Sequence, residues 1–270
     1  MNLEELYKEL VKEKFIIAGP CVIENESMIM NLAEKIKIIT EDLNLKYIFK
    51  ASFDKANRTS IDSYRGPGID LGLKILEKVK NEFEIPITTD IHESSQAEIL
   101  SEVIDIIQIP AFLSRQTDLL VSAAKTNCII NIKKAQFIDG KDMIYPIEKI
   151  VKSGNDKIMI TERGTMFGLG NLVVDFRQLI DMKELGYPVI FDITHSNQKP
   201  GSEIGKSGGD RKYALEMTRL ANAININGFF YEVHENPDIA LSDGPNMIFL
   251  ENLKGIISNI KKWFYLYVLL

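Results

Sequence analysis

The feature that most restricts the fold of this chain is an alternation. Short runs rich in isoleucine, valine and phenylalanine recur along it, each followed by a longer amphipathic stretch. The runs fall at residues 15–23, 47–53, 85–91, 104–111, 129–134, 158–162, 189–195 and 228–234. Strands separated by helix-length connections pair in parallel, because a tight turn can join only antiparallel neighbours. Eight such units either close into a barrel or lie open as a doubly wound sheet, and the polar residues favour the barrel. Cys21, Lys50, Asp90, Gln108, Lys133, Arg163, His195 and Glu232 each stand at the carboxyl end of a run. A barrel gathers eight such ends around one mouth, whereas an open sheet spreads them along an edge. The expected fold is therefore α/β, a single (β/α)8 TIM barrel over residues 1–270. Residues 2–12 should form a short helical segment capping the floor, and residues 246–263 the last outer helix.

Composition agrees with one barrel: 270 residues with 45% hydrophobic positions bury a core of that size. A net charge of −6 argues against a nucleic-acid binder, which needs a basic face to displace counterions. Two cysteines are too few for a disulfide framework, and no charged-then-apolar leader opens the sequence, so a reducing cytoplasm is expected. The longest apolar stretch, residues 263–270, is far short of the roughly 20 residues that span a bilayer. It is expected to pack on the barrel or on a partner subunit.

Two sets of strand-end residues carry chemistry. Lys50, Lys55 and Arg58 crowd into FKASFDKANRTS, and Arg115, Lys133, Lys134 and Arg163 follow later strands. In an acidic protein, that concentration at one mouth is suited to phosphate and carboxylate groups. Histidines are scarce, three in all, and FDITHSNQ and FYEVH place two of them at strand ends. Cys21, His195, Glu232 and Asp243 would supply a thiolate, an imidazole and two carboxylates, a mixed set suited to zinc, iron(II), manganese or cobalt. Their spacing has no compact ligand signature, and a cysteine on an apolar strand is often a small buried hydrophobe.

The strings IAGPCVIE, FKASFDKANRTS, SYRGPG, TTDIHE, QIPAFLSRQTDLL, NIKKAQF, TERGTMFG, NLVVDFR and DITHSNQ run in order along nearly the whole chain. They resemble successive blocks of the 3-deoxy-manno-octulosonate 8-phosphate synthase family. The related heptulosonate synthases carry lysine-proline-arginine-threonine where this chain has Lys55 to Thr59. The resemblance implies a homotetrameric barrel that joins phosphoenolpyruvate to arabinose 5-phosphate with water, for lipopolysaccharide synthesis. The runner-up is a heptulosonate synthase using erythrose 4-phosphate; a barrel that only binds sugar phosphates should have lost some of the residues found here.

Carried over by resemblance, Lys50, Lys55, Lys133, Gln136 and Arg163 would hold the phosphate and carboxylate of phosphoenolpyruvate. Asn57, Arg58 and Thr59 would meet the pentose phosphate, and Ser52 and Gln108 would also contact substrate. Arg115 would reach the pentose phosphate across a subunit interface. Lys50, Lys55, Asn57, His195 and Asp243 would take part in catalysis, and His92 is either a further proton carrier or structural. The family divides on the residue at the Cys21 position, cysteine in metal-dependent members and asparagine in the others. Cysteine here implies a divalent metal held by Cys21, His195, Glu232 and Asp243.

Overall fold

Leucine spacing builds the floor of the molecule. In the helix Leu3–Lys12, Leu6 and Leu10 stand four apart, share one face and are buried. Asn2 caps it, accepting a 3.0 Å hydrogen bond from the Glu4 N–H, and Glu4 and Glu5 in the first turn suit the helix dipole. The computed structural model describes residues 2–168, 170–203 and 206–262. Above this helix stand eight strands: β1 (Phe15–Gly19), β2 (Lys46–Lys50), β3 (Ile87–Asp90), β4 (Ile106–Ile109), β5 (Ile129–Lys133), β6 (Ile158–Glu162), β7 (Val189–Asp192) and β8 (Gly228–His234). Each pairs in parallel with the next, and β8 returns to β1 with Phe15 opposite Gly228, so the sheet closes on itself.

Alternation along each strand then sorts the side chains. The inner cluster is Phe15 and Ile17, Ile48, Ile106, Ile129, Met159, Ile190 and Phe230, plugged from below by Leu6 and Leu10. Their neighbours of opposite parity, such as Ile16, Phe49, Ile107, Ile130, Phe191 and Tyr231, pack outward against the helices. Burial of each such side chain contributes about 1.5–3 kcal/mol. Two residues above the apolar inner layer, the same inward parity falls on Lys50, Gln108, Asp192 and Glu232, and four above it on Lys133 and Arg163. The interior thus changes from hydrocarbon at the floor to charge at the mouth.

The structure shortens several expected strands and adds elements the pattern did not suggest. The run 15–23 leaves the sheet at Gly19 because Pro20 has no N–H to give, and 104–111 stops before Pro110 for the same reason. The run 189–195 ends at Asp192, whose carboxylate accepts the His195 N–H at 2.9 Å and starts a helical turn, Ile193–Ser196. The expected helix 246–263 is instead a 3-10 turn, Gly244–Asn246, a short strand, Ile248–Phe249, and helices Leu250–Ile257 and Asn259–Lys262. The short strand pairs with the end of β8. An antiparallel hairpin, Gln198–Glu203 with Lys206–Gly209, follows the helical turn. Residues 263–270, whose packing the sequence leaves between barrel and partner, lie outside the described ones. Among the described residues no helix is long and apolar enough to cross a membrane.

Candidate active site

The inward charges open into a cavity of about 860 Å³ at the carboxyl ends of the strands. Lys50, Lys55, Asn57, Arg58, Thr59, Gln108, Lys133, Gln136, Arg163, His195 and Asp243 all line it, joined by Asp90 and His92. Cys21 and Glu232 lie in contact with this wall, Cys21 against Asp243 and Glu232 against Lys50 and His195.

Lys50 is the buried centre of one half. Its ammonium donates to Ser52 Oγ at 2.8 Å and the Cys21 carbonyl at 3.2 Å, and lies 3.6 Å from Glu232 and 3.9 Å from Asp90. Gly19 lets the end of β1 lie close against the Lys50 backbone: a Cβ there would sit 2.0 Å from the Lys50 carbonyl oxygen. The Ser52 hydroxyl donates a hydrogen bond to Asp90 at 2.9 Å, and Gln108 donates to the other Asp90 oxygen. Burial alone would raise the Asp90 carboxyl, but Lys50 and Lys55 hold it well below the usual carboxylate range. Burial likewise opposes the charge on Lys55, yet the Cys21, Glu232 and Asp243 groups raise it above an ordinary lysine. Both stay ionised near neutrality.

The other half centres on Asp192, a fully buried carboxylate at the end of β7. It accepts from Lys133 Nζ at 2.6 Å and faces His195 Nδ1 at 2.8 Å. Lys133 also lies 3.8 Å from the centre of the Phe230 ring. Burial pulls the Lys133 ammonium below its ordinary value, and Asp192 is the leading influence that holds it up. Asp192 itself is driven well below the usual range by His195 and Lys133, against the opposing effect of burial. Arg163 donates to Gln198 at 2.6 Å, which ties the hairpin to the cavity wall.

Cys21, Glu232 and Asp243 each present a ligand atom within 4.8 Å of the others. His195 Nε2 is 3.5 Å from Glu232 and 3.9 Å from Asp243. Among the described residues neither Glu232 carboxylate oxygen has a hydrogen bond, although both are buried; Lys50 at 3.6 Å offsets the charge but is too far to donate, which leaves both oxygens free to take a metal ion. Asp192 on Nδ1 directs the proton there and leaves Nε2 to act as a donor atom. Burial and the Glu232 charge push the Cys21 thiol up, so a thiolate here needs an adjacent cation. The four residues therefore fit a divalent ion that accepts sulfur, nitrogen and oxygen.

Some expected residues stand elsewhere. Ser52 is fully buried, accepting from Lys50 and donating to Asp90, and stands just behind the residues that line the cavity. Lys134, expected among the mouth cations, has outward parity and lies against Glu162 at 3.4 Å behind the barrel wall. Arg115 is exposed outside this cavity, after Phe112, which does line it. His234 is buried with Nε2 3.7 Å from Glu24, away from the cavity lining. His92 does line it, its buried Nδ1 without a hydrogen-bond partner among the described residues and its ring set edge-on to Phe53. Arg58 donates to Ser242 at 2.6 Å, and the same hydroxyl accepts from Cys21 at 3.0 Å. Sequence reasoning placed Asp90 at the mouth by its strand-end position but gave it no role, and it did not name Asp192 or Ser242. Of those two, Asp192 carried a signal, an aspartate three before a strand-end histidine.

Comparison with known proteins is consistent along the chain. Residues 12–264 match the model of the DAHP synthetase I family. A 2-dehydro-3-deoxyphosphooctonate aldolase of Desulfatibacillum aliphaticivorans is 52% identical over 245 residues, 91% of this chain and 90% of that protein. One from Geobacter metallireducens is 52% identical over 246 residues, covering 91% and 90%. One from Campylobacter jejuni is 50% identical over 261 residues, covering 93% and 96%.

Proposed function

Since the chain belongs to the DAHP synthetase I family, we propose that it condenses phosphoenolpyruvate with arabinose 5-phosphate and water, giving 3-deoxy-D-manno-octulosonate 8-phosphate and inorganic phosphate. It is a transferase of the kind its relatives' shared name denotes, and not the heptulosonate synthase that the family name would also allow. The observation that carries the reading is one cavity into which Lys50, Lys55, Arg58, Lys133 and Arg163 all converge beside the clustered donors Cys21, Glu232 and Asp243, with His195 Nε2 3.5 Å from Glu232.

The chemistry needs two anionic reactants held together away from bulk water. Lys133, Gln136, Arg163, Lys50 and Lys55 hold the phosphate and carboxylate of phosphoenolpyruvate. Asn57, Arg58 and Thr59 hold the pentose phosphate, so that its open-chain aldehyde carbon faces carbon 3 of the enol. As the carbon–carbon bond forms, the aldehyde oxygen takes a proton and positive character develops at carbon 2. Water adds there, losing a proton to the site, and the bond from carbon 2 to the phosphate oxygen then breaks to release inorganic phosphate. Asp243, His195 and His92 line the cavity and are the candidates to carry these protons. Cys21, His195, Glu232 and Asp243 would hold a zinc, iron(II), manganese or cobalt ion. Such an ion supplies Lewis acidity toward a carbonyl or water oxygen.

The working form is a cytoplasmic homotetramer in this reading. Two buried free cysteines suit a reducing compartment. Phe112, Phe137, Met166 and Phe167, exposed on the loops after β4, β5 and β6, suit a subunit interface that Arg115 would cross. The test is phosphate release from phosphoenolpyruvate with arabinose 5-phosphate, run beside erythrose 4-phosphate and repeated after chelation. Equal or faster turnover with erythrose 4-phosphate would overturn the substrate assignment; full activity in protein proved metal-free would overturn the metal.

A further inference from the structure

Directly behind the phosphoenolpyruvate half of the cavity lies an ion pair that the reaction does not use. Strand parity puts Lys133 and Arg163 inward and their chain neighbours Lys134 and Glu162 outward, into the layer between barrel and helices. Lys134 is 0% and Glu162 1% exposed, and their charged atoms lie 3.4 Å apart. Among the described residues Glu162 Oε2 has no hydrogen-bond donor. Burial holds the Glu162 carboxyl above its ordinary value even with Lys134 beside it. Such a pair is weak evidence for stability, because two desolvated charges seldom better a packed apolar pair.

Its bonds point to another use. Lys134 Nζ donates to the carbonyls of Ala135 and Ile138, each at 3.1 Å, and so grips the loop that carries Gln136. Glu162 Oε1 accepts the Gly164 N–H at 2.5 Å and so grips the loop that follows Arg163. The Lys134 N–H also reaches the Thr161 carbonyl at 2.7 Å, and the Met166 N–H reaches the Gln136 carbonyl at 3.0 Å. The ion pair is thus the side-chain member of a brace between two loops, each with a substrate-facing residue on its other side.

We infer that Lys134 and Glu162 are positioning residues that set the separation of Lys133, Gln136 and Arg163, and thereby the affinity for the phosphate and carboxylate of phosphoenolpyruvate. The inference rests on the phosphoenolpyruvate assignment made above and adds two residues that never touch the substrate. The pentose-phosphate residues Asn57, Arg58 and Thr59 hang from the loop after β2 and lie outside the brace.

The test compares Lys134→Met, Glu162→Gln, the double variant and Glu162→Asp, each as the full chain, by thermal melting, calorimetric binding of phosphoenolpyruvate and steady-state kinetics. Each single neutralisation should melt lower, since it leaves one charge buried alone, and the double variant should recover most of that loss. In the double variant the Kd and KM for phosphoenolpyruvate should still rise on the order of tenfold, with the arabinose 5-phosphate KM within about twofold of wild type. Glu162→Asp, which keeps the charge but shortens its reach, should melt near wild type with an intermediate rise in the phosphoenolpyruvate constants. Unchanged phosphoenolpyruvate binding in a folded double variant, or in Glu162→Asp should the double not fold, overturns the inference alone. Equal losses for both substrates overturn it too. Wild-type protein that binds no phosphoenolpyruvate overturns the site assignment and this inference with it.

Discussion

Replacing Asp192 with asparagine would strike the substrate-binding lysine and the metal-site histidine through one buried carboxylate. The carboxylate takes three hydrogen bonds, from Lys133 at 2.6 Å, from the His195 N–H at 2.9 Å and at His195 Nδ1 at 2.8 Å. The carboxamide has the same shape but carries no charge, and its amide nitrogen becomes a donor facing either the His195 backbone N–H or both Lys133 and the imidazole. Losing the charge-assisted bond to Lys133 costs about 1.5–3 kcal/mol, roughly ten- to a hundredfold in affinity for an anion that Lys133 must hold. The sign of the Lys133 titration adds to this. Burial already lowers that lysine and Asp192 is the main opposing influence, so the variant's lysine sheds its proton at lower pH. Phosphoenolpyruvate affinity in Asp192→Asn should therefore begin to fall at a lower pH than in wild type. At His195, loss of the acceptor on Nδ1 frees the ring to rotate or change tautomer, a change that typically lowers metal affinity about 10–100-fold. The assay is calorimetric titration with phosphoenolpyruvate from pH 6 to 9, together with metal content after dialysis against graded chelator. Folded Asp192→Asn that holds both within about twofold of wild type would refute the reasoning.

Cys21→Ala should lose metal and rate together, measured by elemental analysis beside turnover, while Cys21→Asn should retain some activity that no longer responds to chelators. For wild-type protein after chelation, manganese, cobalt, zinc or iron(II) should restore rate better than magnesium, whose hard-ion preference disfavours sulfur. Arg58→Ala should raise the arabinose 5-phosphate KM by roughly ten- to a hundredfold, and the phosphoenolpyruvate KM far less, since about 1.5–3 kcal/mol of charge-assisted binding is lost at one phosphate. The opposite pattern means that the two phosphate sites are exchanged. Asp90 has a depressed folded pKa, so its stabilising contribution is fully present above the unfolded value of about 3.9 and is lost as pH falls toward the folded one. The stability gap between wild type and Asp90→Asn, read from denaturant curves, should accordingly be constant from pH 7 to 5 and narrow below about pH 4; a gap that widens with acid contradicts the assignment.

What the sequence determined by itself is what depends on local period. Alternation of hydrophobic runs with amphipathic stretches fixed eight parallel strands, and the clustering of polar residues at the run ends fixed a mouth lined by Lys50, Lys133, Arg163 and His195. The helix capping the floor was legible for the same reason, from Leu6 and Leu10 one turn apart. The hairpin after β7 was not, because its glycine-rich polar string has neither period. Nor could the run ends say which way each polar side chain turns or what it meets. Lys133 and Lys134 are adjacent and chemically alike, yet one lies against Asp192 in the cavity wall and the other against Glu162 behind it. Nor could the sequence show that the Ser52 hydroxyl stands between Lys50 and Asp90, two residues from one and 38 from the other. Asp192 gained its place between a lysine 59 positions away and a histidine three positions on only when β5 and β7 were set around the same axis. Period is written in neighbouring residues, whereas partnership depends on the register between strands far apart in the chain, and only barrel closure sets that register.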